Sequence, residues 1–230
     1  MNKISLFLIC ALISLSSLAQ TKSTKNNFDF TNRPSDHLML QLSSDNWNNA
    51  PDSISNFKKG TSRGFNFYLM LDRAFKSNPK FSVAFGLGVG TSHMFFNNMS
   101  IGITGKTSTL AFNNLSAAPQ YTRYKLSTSY LEIPVELRFF SNPYKINKSF
   151  KFALGAKAGL LLNAHTKSKS GYTEKISSKS YFNNNRLAGT VRIGYGNFSL
   201  FGAYNLTPVF KENVAADMKL LQVGLSFSGF

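Results

Sequence analysis

Glu132 and Glu136 are the two carboxylates best placed to act as a pair, since both fall on one face of the extended segment 130–140, YLEIPVELRFF. Acid–base cleavage of a glycosidic bond needs carboxyl groups about 5 to 9.5 Å apart. Four residues of strand put these two about 13 Å apart, so they do not share a reaction. What they can do is hold cations. Arg138 lies on their face, Lys157 on the matching face of 150–162, and Arg192 and Asp72 on the equivalent faces of two more segments. Buried charges are tolerated only in partnership. Asp72, Glu132, Glu136, Arg138, Lys157 and Arg192 are therefore expected to form a structural ionic network with the two signs near balance. A hairpin turning around 141–149 would bring Glu132 close to opposite Lys157 and Arg138 close to Lys151.

The remaining chemistry is thin. His37, His93 and His165 are the only histidines, and no acid or serine stands at a spacing that suggests a triad; they read as polar rim residues. The string Gly86-Leu87-Gly88-Val89-Gly90 lacks the spacing and following helix of a dinucleotide fingerprint. Gly105-Lys106-Thr107 echoes a phosphate loop, but Ser100 stands where its first glycine belongs. Cys10, the single cysteine, lies in the N-terminal apolar run, which leaves the rest of the chain without disulfide, thiolate or cysteine–metal chemistry. No enzyme activity, metal or cofactor is expected. Lys58, Lys59, Lys106, Lys167, Lys169, Lys175 and Lys179 fall in polar segments without an acidic excess. They would meet lipopolysaccharide phosphates or a surface partner.

The elements that must position these residues are strands. Segment 81–90, FSVAFGLGVG, alternates large apolar residues with serine, alanine and glycine. A soluble sheet turns a long polar face to water, whereas a greasy face backed by a bare one suits a narrow barrel with lipid outside. The chain is only 16% charged and holds 22 phenylalanines. Its first twenty residues carry Lys3, an apolar stretch, then Ser17 and Ala19, the layout of an export signal. That stretch is shorter than the roughly 20 residues of a spanning helix. Export turns the formal charge of +16 away from nucleic acid and toward anionic lipid or polysaccharide.

Eight strands are expected, near 37–44, 63–72, 81–95, 124–140, 150–162, 186–194, 198–206 and 219–227. The connections alternate long and short, the pattern of a barrel with long extracellular loops and short periplasmic turns. The expected fold is thus all-β, an eight-stranded antiparallel transmembrane β-barrel over 36–230, behind a signal peptide at 1–19 and a periplasmic lead-in at 20–35. Pro134 removes a ladder donor, and a bulge is expected there. Aromatic belts are expected from Phe81, Phe139, Tyr144, Phe150, Tyr195, Phe198 and Phe227 at one end and from Phe65, Phe95, Tyr204 and Phe210 at the other.

Segments 130–140 and 150–161 (FKFALGAKAGLL), the signal ending at Ala19-Gln20 and the closing Phe230 resemble the PorT-like small outer-membrane barrels of Bacteroidota. The order Gln222-Val223-Gly224-Leu225-Ser226-Phe227 is similar to the terminal pattern that barrel-insertion machinery recognises. The resemblance implies the outer membrane of a Gram-negative bacterium after signal cleavage, and a structural or interaction role accessory to secretion or envelope organisation. The partners would be outer-membrane lipids, possible lipopolysaccharide contacts included, and an envelope or secretion-system protein. A narrow solute or ion channel is the alternative, and a rim-located enzyme a lesser one.

Overall fold

The computed structural model describes residues 37–105, 107–117 and 121–228. The expected signal 1–19, lead-in 20–35, Lys106 and Phe230 lie outside them. The elements are β1 (Leu38–Asn48), the single-turn helix α1 (Asp52–Ser55), β2 (Arg63–Ala74), β3 (Phe81–Phe96), β4 (Met99–Gly102), β5 (Ala111–Asn114), β6 (Arg123–Phe140), β7 (Phe150–Ser170), β8 (Tyr172–Ser177), β9 (Asn185–Tyr195), β10 (Phe198–Asn205) and β11 (Lys219–Ser228). Strands β1, β2, β3, β6, β7, β9, β10 and β11 pair antiparallel in that order, and β1 closes on β11 from Met39↔Ser228 to Asn48↔Lys219. This is a closed eight-stranded antiparallel barrel, and closure leaves its ladder without edges.

The alternation sets two faces. Leu69, Leu87, Ile133, Leu154, Leu160, Leu200 and Val223 are exposed on the outer wall, a belt that in water would be an aggregation surface and in lipid is a solvent match. Phe81 packs on Phe139 and Phe198 on Phe227, with ring centroids 5.2 and 5.0 Å apart, at the short-turn end of the belt. Phe95 and Tyr204 lie outward near the other end, but Phe210 does not join them; it is buried inside.

Three elements differ from the expected layout. β7 runs on to Ser170 and returns as β8, so most of the polar segment after His165 is a hairpin standing above the belt. No apolar face is needed there, so the alternation that betrays a membrane strand is absent. The segment after β3 holds the small β4–β5 hairpin. The bulge expected at Pro134 lies elsewhere: the β6–β7 register shifts between Ser129 and Tyr130, while at Pro134 the β3–β6 ladder only lapses, from Val135↔Phe85 to Glu132↔Gly88.

Inside, register alternates small with large around the wall. One ring reads Tyr68, Gly88, Glu132, Gly159, Arg186 on five successive strands. A second reads Ser82, Arg138, Ala153, Arg192, Phe201, Gly224. An eight-stranded lumen has only enough width for side chains, so every large group needs a small neighbour. Gly90 shows the tolerance: a Cβ there would meet the Glu132 carboxylate and the Arg186 guanidinium. Gly90→Val should therefore cost about 1–3 kcal/mol as overpacking, measured as a lowered unfolding midpoint of the detergent-folded barrel.

Candidate functional site

The charged residues of the lumen gather into two clusters. In the upper one, Glu132 is fully buried and takes cations from two strands, Lys157 Nζ at 3.3 Å from Oε2 and Arg186 Nη2 on Oε1. Tyr68 donates its hydroxyl to Glu132 Oε2 at 2.5 Å across the gap that Gly88 leaves. Lys157 spends its other donors on the Tyr68 hydroxyl at 3.3 Å and Gln222 Oε1 at 3.2 Å. Gln222 then donates to Asp45 at 3.2 Å, and Ser43 donates to the same carboxylate at 2.5 Å. Arg186 also lies over the Tyr130 ring, 4.2 Å from its centroid. One connected path thus ties β1, β2, β6, β7, β9 and β11.

The lower cluster stands nearer the short turns. Glu136 Oε2 accepts from Arg138 Nε and Arg192 Nη2, both at 2.8 Å, and Arg192 Nη1 reaches Ser228 Oγ at 3.1 Å. Lys151 is buried close by, over the Phe140 ring at 5.6 Å.

Of the six network residues expected from sequence, the structure brings together Glu132, Glu136, Arg138, Lys157 and Arg192, in two groups. Asp72 stays outside: it makes no ion pair among the described residues, and its buried Oδ1 has no partner. Asp45 stands as the third buried acid instead, and Arg186 and Lys151 bring the buried cations to five against three acidic side chains among the described residues. In the hairpin Gly159 stands directly opposite Glu132 and Phe140 opposite Lys151, so Lys157 lies near Glu132 as expected but two residues off register, and their contact is diagonal. Arg186 was missed because it opens its strand, where alternation has barely begun; the signal was the bare Gly159 and Gly88 flanking Glu132.

Above the clusters the lumen changes character. Trp47, Ile54, Met94, Phe96, Met99, Ile101, Tyr124, Phe182, Phe210 and Met218 form a buried apolar core drawn from the barrel strands and the long loops. Trp47 meets Phe96 and Phe210 at 5.6 Å, and Phe210 meets Phe182 at 5.2 Å. The Tyr124 hydroxyl donates to the Ile101 carbonyl and accepts from its amide, each at 2.9 Å, pinning the β4–β5 hairpin over the opening. Asn183 Nδ2 holds the Pro208 and Phe210 carbonyls at 3.1 and 3.2 Å.

The basic residues divide. Lys58 is tied down, donating to Asn46 Oδ1 and the Trp47 carbonyl at 2.8 Å each, and its burial lowers its pKa. Lys59 is half-buried after α1, and Lys179 is exposed beyond β8. Lys167, Lys169 and Lys175 point outward from the β7–β8 hairpin, above the apolar belt. There His93 Nδ1 lies 2.8 Å from Ser127 Oγ, with Arg63 and His165 in the same cross-strand row. Burial, then the nearby charges of Lys125, His165 and Arg63, lowers the His93 pKa to about 4. His165 is lowered in the same sense, chiefly by burial. His37 stands apart at the other end, its Nδ1 3.3 Å from the Met70 carbonyl.

Two stability predictions follow from these geometries. Glu132→Leu strands Lys157 and Arg186 in the lumen and should cost about 3–5 kcal/mol, whereas Asp72→Asn should stay within about 0.5 kcal/mol of the parent; urea unfolding of both variants checks this. His93 has a folded pKa below its ordinary 6.5, so its contribution is complete above pH 6.5 and is lost as pH falls from there to about 4. The unfolding midpoint should drop across that window, and by less in His93→Gln.

The family described as "Outer membrane protein beta-barrel domain" matches residues 19–211. No curated protein matches the chain. The solved structure of Ail, the attachment invasion locus protein of Yersinia pestis, is similar to it at 14% identity, over 83% of this chain and 94% of that one, with a TM-score of 0.35.

Proposed function

The chain belongs to the outer membrane protein β-barrel domain family, and on that premise we propose that it is a sealed outer-membrane anchor with a structural or protein-interaction role. The observation that carries this reading is the double filling of the lumen. An ion would have to part the Glu132–Lys157–Arg186 cluster and then cross the apolar core around Trp47 and Phe210. The first step leaves buried charges without partners, and the second passes large apolar side chains where the polar groups beside Trp47, namely Ser92, Thr128 and Asn205, are uncharged. The channel alternative has no support in such an interior.

A non-enzymatic role is supported by the rim. Ser127 and His93 are within hydrogen-bonding reach, but the serine is fully buried and an imidazole of pKa about 4 is a weak base. The charged groups that act on it are Lys125, His165 and Arg63, none of them a carboxylate. In the same reading the long-loop end faces outward and engages an envelope or secretion-system protein, supported by the likeness of 130–140 and 150–161 to PorT-like barrels of Bacteroidota. Cleavage of the export signal after Ala19 is part of it, supported by the apolar run and the small residues at 17 and 19.

In planar bilayers the folded protein should show no single-channel steps at neutral pH; steady unitary steps would overturn the sealed reading. Mass spectrometry of the membrane-extracted protein should find Gln20 at its N-terminus.

A further inference from the structure

Above the belt, the outer wall of β2, β3, β6, β7 and β8 carries two laterally continuous rows. The lower reads Arg63, His93, Ser127, His165, Ser177, each the direct cross-strand partner of the next. The upper reads Phe95, Lys125, Lys167, Lys175. Neither row contains an acid. Glu174 sits in β8, but opposite Ser168 on the other face. Directly opposed like charges repel, and here three lysines stand abreast while Arg63 and Lys125 flank Phe95 at 5.5 and 5.9 Å. The mutual proximity of Lys125, Lys167, Arg63 and Lys175 adds to burial in lowering the Lys125 pKa. Such a surface is complementary to a multivalent anion.

Its position says which kind. The rows stand on the wall of the barrel, beside the belt, and not at the loop tips. Leu162 is an exposed belt residue, and Lys167 follows it by five residues, about 16 Å along the strand. Lysine stems reach several ångströms back toward the hydrocarbon. Below the cations, on the same β6 and β7 and on β9, the wall dips into an apolar groove of about 300 Å³ between Leu131, Ile133, Leu160 and Leu187, floored by Ala158. A soluble acidic partner would have no use for a groove facing hydrocarbon.

We propose that this wall seats a multiply phosphorylated, net anionic lipid of the outer leaflet, its phosphates on Lys125, Lys167, Lys175 and Arg63 and an acyl chain lying in the groove over Ala158. The proposal rests on the outer-membrane reading above and names the partner of its basic end. Lys58, spent on Asn46 and Trp47, takes no part.

The test uses the full mature protein, folded in neutral detergent and titrated with lipid A, phosphatidylcholine or inorganic phosphate, with retention read by native mass spectrometry. The parent should retain lipid A in preference to phosphatidylcholine, and inorganic phosphate should not displace it. The triple variant Lys125→Gln, Lys167→Gln, Lys175→Gln should bind lipid A about a hundredfold more weakly. Ala158→Leu, which fills the groove, should weaken it severalfold, and Lys145→Gln with Lys148→Gln at the short turns should leave it unchanged. Undiminished lipid A binding by the triple variant, equal retention of phosphatidylcholine, or full displacement by inorganic phosphate would overturn the proposal. Heat-dependent gel mobility verifies the fold of each variant. Conductance in the parent would sink the sealed anchor while leaving this lipid preference in place, so the two readings fail separately.

Discussion

The structure depends on one difficult fact: Glu132 is a carboxylate with no access to water. A buried charge of this kind is tolerable only when cations and hydrogen-bond donors surround it. Here they come from strands far apart in sequence, Tyr68 from β2, Lys157 from β7 and Arg186 from β9. Much of the lumen is arranged to let those groups reach it. Gly88 and Gly159 flank Glu132 in register and clear the way for Tyr68 and Arg186, and Gly90 leaves room for the ion pair itself. The glycine face of β3 is thus the complement of a large polar cluster, as Ala153 is the small residue that separates Arg138 from Arg192 in the second ring.

The upper half of the lumen solves the same filling problem with the opposite chemistry. Trp47, Phe96, Phe182 and Phe210 pack as in the core of a soluble protein, contributed by strands that have risen past the belt and by the loops that fold over them. The protein therefore has two interiors on one axis, one held by charge and one by apolar burial, and an outer wall whose character changes near the same level from apolar to basic.

The strands inside the belt were legible in the sequence because lipid on one side and crowding on the other impose a strict period of two. All eight begin within two residues of their expected starts. Glu132, Glu136, Arg138, Lys157 and Arg192 could be placed in the lumen by parity alone. What parity cannot supply is register: Lys157 stands two residues off register from Glu132, on a diagonal, and Asp45 rather than Asp72 came within reach of the cluster. Above the belt the rule fails altogether. There both faces of β7 read as polar, so the β7–β8 hairpin looked like a loop. The core residues Met99, Ile101, Phe182 and Phe210 were scattered among Asn, Ser and Thr with no period to betray them.

The path from Asp45 through Gln222 and Lys157 to Glu132 also dictates an order of assembly. Glu132 and Lys157 sit on adjacent strands of one hairpin, so the central ion pair can form as soon as β6 meets β7. Gln222 belongs to the last strand and Asp45 to the first, and they meet only when β11 pairs with β1. A half-built barrel would therefore carry a paired centre but an Asp45 held only by Ser43 of its own strand at the open seam. The polar bond that completes the lumen is the one that closing the seam makes, so the chain gains its last internal partner at the moment it loses its last free edge.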